Sequence, residues 1–419
     1  MMGLSLPGPL PPIWVVALVH MLEWILLGYT AYLTLLPWAG FMTRRERRRL
    51  PPQKRFAVVI PAHDERVVIG NLVDCCLAMD YPRRLFDVHV IADNCTDDTA
   101  AVAQRHGARV IERSSPRRGK GYALADAFQR LLATRRYDAF VVFDADNLVD
   151  PSFLMIMNAE LLAGREIVQS RIDVKNPDDT WVSATFGMSF WTSNRFWFLA
   201  KHNLGLSAAL GGTGMCISAH ALREVGWEPT SLTEDLEFSA RALLAGYRTY
   251  WSHDAAIYDE KPLTFAQSWR QRLRWAQGQA QVAFRYLPRL IWAGIRERSI
   301  LKLEGGLSLF QPFYVILSTG VYGLGILLSH FWILPLLPLG VPFWLFVAVA
   351  DYVLPAAAAL IDRRPARPLR FLVLYPLFMY SWIPLTWGGV IRARRRQWVH
   401  TAHTRAIAYA ELVGGKGAG

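Results

Sequence analysis

Residues 56–65 read FAVVIPAHDE, a short apolar run rich in β-forming residues that is followed at once by polar side chains. The same pattern recurs in DVHVIA at 87–92 and in FVVF at 140–143. This order of strands and helices predicts an α/β fold with a mostly parallel sheet and crossover helices. The intervening elements are predicted as helices at 67–79, 98–106 and 122–132 and one short strand at 109–111.

Polar side chains directly after such strands are expected at one edge of the sheet, where ligands bind in open α/β folds. His63, Asp93, Asp144 and Asp146 occupy these positions. Carboxylates in one cleft repel each other unless a cation or hydrogen-bond donors share the site. We therefore predict Mg²⁺ or Mn²⁺ with a polyphosphate, for which Lys120, flanked by glycines, is a phosphate partner. The common glycine-rich phosphate loops are absent from the sequence.

Composition narrows the class of protein. The 419 residues are 53% hydrophobic and only 19% charged, with a net charge of +12 and four cysteines. These values exclude a disordered chain, a collagen, a coiled coil and a disulfide scaffold as the main architecture. We expect reduced, cytosolic thiols.

The apolar residues concentrate toward the two ends. Residues 13–42 hold no Lys, Arg or Asp and one Glu, which predicts an uncleaved membrane anchor. Five arginines at 44–49 place the following domain on the cytoplasmic side. A hairpin of spans is predicted at about 309–328 and 331–352. Because arginines flank both ends of 371–391, that stretch is predicted to be either a third span or a re-entrant element.

His20 and Glu23 lie three residues apart inside the first predicted span. A carboxylate there must face protein or water. We expect a polar contact between helices, and the alternative is a residue that lines a polar path across the membrane.

A series of motifs carries a resemblance to a known family. In chain order the motifs are VIPAHDE (59–65), Asp93, GKG (119–121), DAD (144–146), TED (233–235) and QRLRW (271–275). With these motifs the chain resembles the membrane-embedded family-2 glycosyltransferases, the processive group with cellulose, hyaluronan, chitin and poly-N-acetylglucosamine synthases. The resemblance covers about 55–285 by motif. It implies a GT-A fold and a nucleotide-activated sugar, most often UDP-linked, used with Mg²⁺ or Mn²⁺.

The resemblance also implies roles for individual residues. His63 stands where the family usually has Tyr, although imidazole also stacks on a base. The roles implied are nucleotide-sugar binding by Ala62, His63, Glu65, Asp93, Lys120, Asp144, Gln271 and Arg274; acceptor binding by Trp275, Glu234, Gly212 and Thr213; metal binding by Asp146; and general base catalysis by Asp235.

The chemistry requires these residue types. A carboxylate such as Asp235 takes the proton of an acceptor hydroxyl, and a metal and an arginine stabilise the departing diphosphate. A single displacement inverts the anomeric centre. Local sequence alone leaves a second interpretation of Asp235 as a helix N-cap before Leu236. The glycine-rich segment 211–214 either lets backbone approach an acceptor sugar or forms a plain tight turn.

Aromatic and basic segments follow. The aromatic residues at 181–198 either line a sugar path or pack in a core, and packing is the preferred interpretation. Residues 265–300 suit basic helices on a membrane surface, which explains the net charge and argues against nucleic acid. Near the C-terminus, a segment resembles the gating motif of relatives, with a basic tail as the alternative. The aromatic residues of the first segment are Trp181, Phe186, Phe190, Trp191, Phe196 and Trp197. The residues that resemble the gating motif are Trp398, Thr401, Thr404 and Arg405.

The predicted function is processive, inverting β-glycosyl transfer to a polysaccharide at the cytoplasmic membrane face. Alternatives are single addition to a glycolipid acceptor and a non-enzymatic membrane scaffold. Membrane lipids are expected partners, and partner subunits or a homo-oligomer stay open. The predicted units are an anchor (1–43), a glycosyltransferase domain (55–264), interfacial helices (265–302), a second membrane region (303–391) and a tail (392–419).

Overall fold

The structure, a computed structural model, describes residues 12–42, 50–328 and 341–394. Eight strands form one sheet in the order β3-β2-β1-β4-β7-β6-β8-β5. The strands are β1 (Phe56–Ala62), β2 (Phe86–Asp93), β3 (Arg109–Arg113), β4 (Ala139–Val142), β5 (Leu148–Val149), β6 (Ile167–Val174), β7 (Met215–Ser218) and β8 (Thr249–Asp259).

The first half of the sheet confirms the sequence prediction, since β1 to β4 pair only in parallel with one another. The second half is mixed. Strand β7 is antiparallel to both β4 and β6, and β5 is antiparallel to β8, whereas β6 and β8 are parallel. The fold is therefore a Rossmann-like mixed sheet covered by helices.

Fifteen α-helices lie in the described part of the chain, together with short 3₁₀ segments at Leu36–Phe41, Arg83–Leu85 and Arg367–Leu374 and a π-helix at Asn194–Leu199. The α-helices are α1 (Ile13–Leu35), α2 (Ile69–Leu77), α3 (Thr99–Arg105), α4 (Lys120–Ala133), α5 (Phe153–Leu162), α6 (Trp181–Ser193), α7 (Ala200–Asn203), α8 (Ala219–Val225), α9 (Glu234–Leu244), α10 (Phe265–Arg296), α11 (Ile300–Leu309), α12 (Gln311–Leu328), α13 (Val341–Ile361), α14 (Tyr375–Tyr380) and α15 (Trp382–Ile391).

Strand β1 explains why its sequence is a continuous apolar run. Phe56, Val58 and Ile60 pack in a cluster with α2, whereas Ala57 and Val59 pack in a second cluster with α4. Successive side chains of a strand point to opposite faces, so a strand covered on both faces needs an apolar residue at every position.

The segment predicted as basic interfacial helices is one helix of 32 residues, α10, which ends at Arg296. Its N-terminus carries a capping box, in which Thr264 and Gln267 exchange hydrogen bonds. Helix α10 approaches its neighbours closely at two glycines. A Cβ at Gly278 would lie 2.5 Å from the Thr233 side chain, and a Cβ at Gly389 of α15 would lie 2.6 Å from the Ala276 backbone.

Two helical stretches are long and apolar enough to cross a membrane, Ile13–Phe41 and Arg367–Ile391. The pair α11 and α12, bent by 51°, passes the same test as one broken unit. Helices α12 and α13 overlap the two spans predicted at about 309–328 and 331–352, and α13 extends to Ile361. Residues 329–340 lie outside the described residues, so the hairpin stays a prediction. These segments agree with association of the protein with a membrane.

The stretch predicted as span or re-entrant element consists of three short segments, the 3₁₀ segment from Arg367, α14 and α15. Pro376 and Pro384 lie in the first turns of α14 and α15, where a missing N–H is tolerated. The breaks fit a re-entrant element and the total length fits a span, so both interpretations stay predictions. In the first predicted span, His20 Nδ1 lies 2.9 Å from the buried Glu23 carboxylate.

A buried ionic cluster joins the apolar helices to the sheet domain. Asp362, just after α13, accepts a hydrogen bond from Arg195 at 2.5 Å and lies 3.2 Å from His253 Nε2. Arg195 also donates to the Gly40 carbonyl at 2.8 Å. Burial alone would raise the pKa of Asp362, but His253 and Arg195 hold it well below its usual range. The carboxylate is therefore ionised and connects three distant parts of the chain.

We expect Asp362→Asn to destabilise the protein strongly, because it leaves the buried Arg195 charge uncompensated. Breaking one partner of a buried ion pair costs about 3–5 kcal/mol. The measurement is thermal unfolding of the purified protein in detergent, with Asp254→Asn, a neutralised carboxylate on an exposed side chain of β8, as the control. Equal melting temperatures for the two variants would contradict the role of this cluster.

Candidate active site

The four residues predicted to hold the nucleoside meet at the ends of β1 and β2. Ala62 and Ala92 are partners in the sheet register, which brings the residues after them together. His63 Nδ1 lies 2.8 Å from the Asp93 carbonyl oxygen. Glu65 is buried, and its backbone N–H donates to the Thr99 hydroxyl at 2.9 Å.

Sequence reasoning missed Arg113, which holds Asp93 in place. Its guanidinium donates to Asp93 at 2.5 Å and to Asp126 at 2.6 Å, and its side chain is buried. Arg113 closes β3, the neighbour of β2, so the alignment of β2 and β3 could have identified it as a partner of Asp93.

Lys120 lies at the centre of the next group. Its ammonium donates to the Asp144 carboxylate at 2.5 Å and to the Gly212 carbonyl at 2.8 Å. The Asp144 backbone N–H donates to the Thr213 hydroxyl at 3.1 Å. Lys120 begins α4 directly after Gly119, whose φ of 116° lies in the region that only glycine adopts readily. One predicted phosphate contact, one DAD residue and two predicted acceptor residues are therefore brought together.

Glu234 and Asp235 lie in the first turn of α9, facing this group. The N-cap of α9 is Thr233, so the alternative interpretation of Asp235 as the cap is wrong. A Cβ at Gly212 would lie 3.1 Å from Asp235 Oδ2, and a Cβ at Gly121 would lie 3.3 Å from the Glu234 side chain. The backbone bends at the glycine-rich segment, with φ of 84° at Gly212 and 63° at Gly214, and the missing side chain at Gly212 leaves room for the Asp235 carboxylate.

The charges of this group shift one another's pKa values. Burial and, to a smaller extent, the neighbouring Asp235 carboxylate raise the pKa of Glu234 to about 7, although Lys120 and Arg274 oppose this rise. Burial also raises the pKa of Asp235, and the same two cations oppose that rise. For Lys120, burial would lower the pKa, but Asp144, Glu234 and Asp235 together raise it. A carboxylate that is easier to protonate than usual therefore lies beside a fixed ammonium.

Asp146, two residues after Asp144, belongs to a second, more buried group of side chains. Its carboxylate oxygens accept hydrogen bonds from Asn147 Nδ2 at 3.2 Å and from the Glu260 backbone N–H at 3.3 Å. Its carbonyl oxygen accepts a hydrogen bond from Lys175 Nζ at 2.8 Å. The two carboxylate contacts are long, and carboxylate oxygens are ligands that suit Mg²⁺ or Mn²⁺. The residues at Asp146 fit such an ion.

The described residues also hold a group of three potential metal ligands elsewhere, Asp64, Cys95 and Asp97, in the loops after β1 and β2. Asp64 accepts hydrogen bonds from Thr96, and Asp97 accepts one from the Thr99 backbone. Burial raises the pKa of the Cys95 thiol, which disfavours the thiolate that binds metals. These contacts account for the cluster as a loop-stabilising arrangement of carboxylates.

The QRLRW motif lies on α10, and its residues point in different directions. Arg274 is close enough to Glu234 and Asp235 to lower both pKa values. Trp275 packs edge-on against Phe186, with ring centroids 5.8 Å apart, and lies 6.5 Å from Phe190. Gln271 has a buried Oε1 without a hydrogen bond, and no contact described for it reaches the Lys120 group.

Arg272, to which sequence reasoning gave no role, points away from the site and joins α10 to the apolar segments. It is fully buried and donates to the Ser381 hydroxyl at 2.7 Å and to the Phe378 carbonyl at 3.2 Å. Its guanidinium also lies 4.1 Å from the centroid of the Phe378 ring. These partners lie at the junction of α14 and α15, so Arg272 anchors the motif there.

The aromatic stretch is mainly a core. Phe186, Trp191 and Phe196 are almost fully buried, and the last two pack with α13 and α14. This agrees with the preferred interpretation. The predicted gating segment, Trp398 to Arg405, lies outside the described residues.

Comparison with known proteins gives consistent matches. The probable glycosyltransferase YdaM of Bacillus subtilis is 25% identical over 333 residues, 74% of this chain and 74% of that protein. A beta-monoglucosyldiacylglycerol synthase of Synechocystis is 27% identical over 254 residues, 58% of this chain and 50% of its own length. A poly-beta-1,6-N-acetyl-D-glucosamine synthase of Staphylococcus epidermidis is 24% identical over 255 residues, 58% of each chain. The chain thus spans little more than half the length of these two synthases.

Among solved structures, a mannosyltransferase from Pyrobaculum calidifontis in complex with GDP-Man and Mn²⁺ has a TM-score of 0.56 at 19% identity. The alignment covers 89% of this chain and 99% of that one, and it supports the GT-A fold. A family model described as "Glycosyltransferase like family 2" matches residues 51–278, more than half of the 419 residues. The chain belongs to this family of glycosyltransferases.

Proposed function

We propose that the protein is an inverting glycosyltransferase that moves a sugar from a nucleotide sugar to a growing β-linked polysaccharide at the membrane. One observation carries the proposal: the Lys120 ammonium lies between Asp144 and the Gly212 carbonyl, beside Glu234 and Asp235 of α9. The Lys120 ammonium, which would contact the leaving phosphate, thus lies next to a carboxylate of raised pKa.

The donor would lie along the edge formed by β1, β2 and β4. His63, Glu65 and Asp93 would hold the nucleoside, and Lys120 would contact the diphosphate in place of one of its present partners. Asp146 would hold Mg²⁺ or Mn²⁺, which supplies charge neutralisation of the departing diphosphate when bound. We propose UDP as the nucleotide, which the resemblance of the motif set implies.

Asp235 would accept the proton of the acceptor hydroxyl during attack on the anomeric carbon. A general base works best when its pKa lies near the working pH. Burial raises the pKa of the Asp235 carboxyl toward that range. Arg274, close to both carboxylates, would stabilise negative charge on the leaving group. One displacement by a base-activated hydroxyl inverts the configuration, so an α-linked donor gives a β-linkage.

The acceptor sugar would lie on Trp275. This side chain is half-buried, and its indole ring packs against the rings of Phe186 and Phe190. Indole rings supply large apolar contact area with a polar N–H at one end, which suits the face and the hydroxyls of a sugar.

A specific cavity favours a second candidate, transfer of one sugar to a lipid acceptor. The cavity, of about 640 Å³, lies between α9, α10 and α15, which is within the usual size range of ligand pockets. Its lining combines apolar residues, among them Phe284, Val390 and Ile391, with polar residues, among them Thr230, Glu237 and Arg285. A lining of mixed polarity suits an amphiphile.

We expect Asp235→Asn to lower the rate of sugar transfer by at least about 10²-fold, because the amide cannot accept the proton. Nucleotide binding should be retained, since the change preserves shape. The rate is measured as nucleotide release and affinity by calorimetry. Glu228→Gln, which neutralises an exposed carboxylate ahead of the same helix, is the control and should stay active. An active Asp235→Asn variant would rule out this base.

The pH dependence of kcat/KM should show an acid limb above the ordinary pKa range of an aspartate, since burial raises the pKa of Asp235 and also that of the neighbouring Glu234. Activity falls as pH drops through this range because the base becomes protonated. Glu234→Gln removes a neighbouring negative charge, so the pKa of Asp235 falls and the limb moves to lower pH. An acid limb that is unchanged in Glu234→Gln would contradict the coupling.

The two acceptors are distinguished by the product. Protein in nanodiscs with Mn²⁺ is given UDP-glucose, UDP-N-acetylglucosamine or UDP-glucuronate, and labelled product is sized. We expect polymer without added lipid, and Trp275→Ala should raise the acceptor KM and shorten the product. Trp292→Ala, an exposed indole on the same helix, is the control. A single-sugar glycolipid formed only with added lipid would support the second candidate, and no turnover with any donor would support a scaffold.

A further inference from the structure

Lys175 is a buried cation beside the proposed metal ligand. It follows β6 directly, and its side chain is 2% exposed. Moving an ammonium from water into a protein interior costs several kcal/mol unless partners compensate it. The identity of those partners therefore indicates what the lysine does.

Two contacts of the Lys175 ammonium lead to Asp146. The ammonium donates to the Asp146 carbonyl oxygen at 2.8 Å and lies 3.2 Å from Glu260 Oε2. The backbone N–H of Glu260 in turn donates to the Asp146 carboxylate at 3.3 Å. Lys175 thus holds the main chain of Asp146 directly, and it holds the residue whose N–H orients the carboxylate.

This arrangement closes a three-residue ring that joins three separate parts of the chain. Asp146 lies in the turn between β4 and β5, Lys175 follows β6, and Glu260 follows β8. On the other side of the carboxylate, Asn147 donates to Oδ1 at 3.2 Å. Both oxygens of Asp146 therefore have fixed directions before any ligand arrives, and the Glu260 contact depends on where Lys175 holds that residue.

We propose that Lys175 is a positioning residue that, through Glu260, sets the orientation of the Asp146 carboxylate for a divalent cation. The inference rests on the proposed function, in which Asp146 is the metal ligand. Groups that orient a metal ligand without touching the metal change metal affinity by about 10–100-fold when removed. Lys175 would act in this way and would not contact substrate.

Lys261 offers a matched control for Lys175. If Lys175 only stabilised the fold, replacing Lys261 should have the same effect as replacing Lys175. Lys261 is as buried as Lys175, and its ammonium pairs with Asp259 at 2.6 Å and lies 3.6 Å from the centroid of the Phe190 ring. The contacts described for Lys261 do not include Asp146. Replacing either lysine by methionine removes one buried ion pair and keeps the apolar stem, so the cost in stability should be similar.

The test is direct Mn²⁺ binding to the full-length protein in nanodiscs, followed by electron paramagnetic resonance, with and without saturating UDP. We expect Lys175→Met to raise the Kd for Mn²⁺ about tenfold or more, whereas Lys261→Met leaves it unchanged. Melting temperatures of both variants are measured alongside. Glu260→Gln, which keeps the backbone N–H, should weaken Mn²⁺ binding by less and serves if Lys175→Met does not fold.

The outcomes separate the inference from the function on which it rests. Wild-type Mn²⁺ affinity in Lys175→Met, or equal losses in Lys175→Met and Lys261→Met, would overturn the positioning role while leaving the function intact. If Asp146→Asn itself binds Mn²⁺ as wild type does, the metal assignment fails and the inference fails with it. If Mn²⁺ affinity is lost in Lys175→Met and in Asp146→Asn but not in Lys261→Met, the result supports both the positioning role of Lys175 and the assignment of Asp146 as the metal ligand.

Discussion

The close approach of α10 to its neighbours is the constraint on which the site depends. At Gly278 the helix touches the N-cap of α9, which carries Glu234 and Asp235, and at Gly389 it touches α15. A Cβ at either glycine would lie closer to its neighbour than the 3.0 Å below which Cβ contacts essentially do not occur. Because one helix makes both contacts, the position of Glu234 and Asp235 relative to the sheet is coupled to that of the apolar segments. Arg272 strengthens the second contact.

Charge compensation is the second organising feature. Acidic residues meet along the edge of the sheet, and buried cations separate them: Arg113 with Asp93, Lys120 with Asp144, and Lys175 with Glu260. Each pair has a desolvation cost that its Coulomb energy only partly offsets. Such pairs are therefore better explained by geometry than by stability, since they fix the directions of carboxylates that a nucleotide and a metal would use.

The edge of the sheet along which the donor is proposed to lie, formed by β1, β2 and β4, could largely be predicted from the sequence. Its strands and the polar residues after them follow from the local pattern of apolar and polar residues. Continuous apolar runs identified β1, β2 and β4, and polar residues after them identified His63, Asp93 and Asp144. The mixed half of the sheet was not predicted. Strands β5 and β7 are short, the register between β6 and β8 shifts after Ser170, and the antiparallel pairs join strands that are far apart in the chain. Nothing local marks Lys175 or Arg272, whose partners lie far away in the chain.

The sequence by itself determined the family, the parallel half of the sheet, the apolar segments and most of the residues along the donor edge, because each follows from periodicity, composition or motif order. Only the tertiary structure decided that Thr233 rather than Asp235 caps α9, that Arg272 faces the apolar segments, and that Lys175 and Glu260 close around Asp146. These facts depend on contacts between residues that are distant in the chain, and their free energies are decided by burial and distance, which local sequence does not encode.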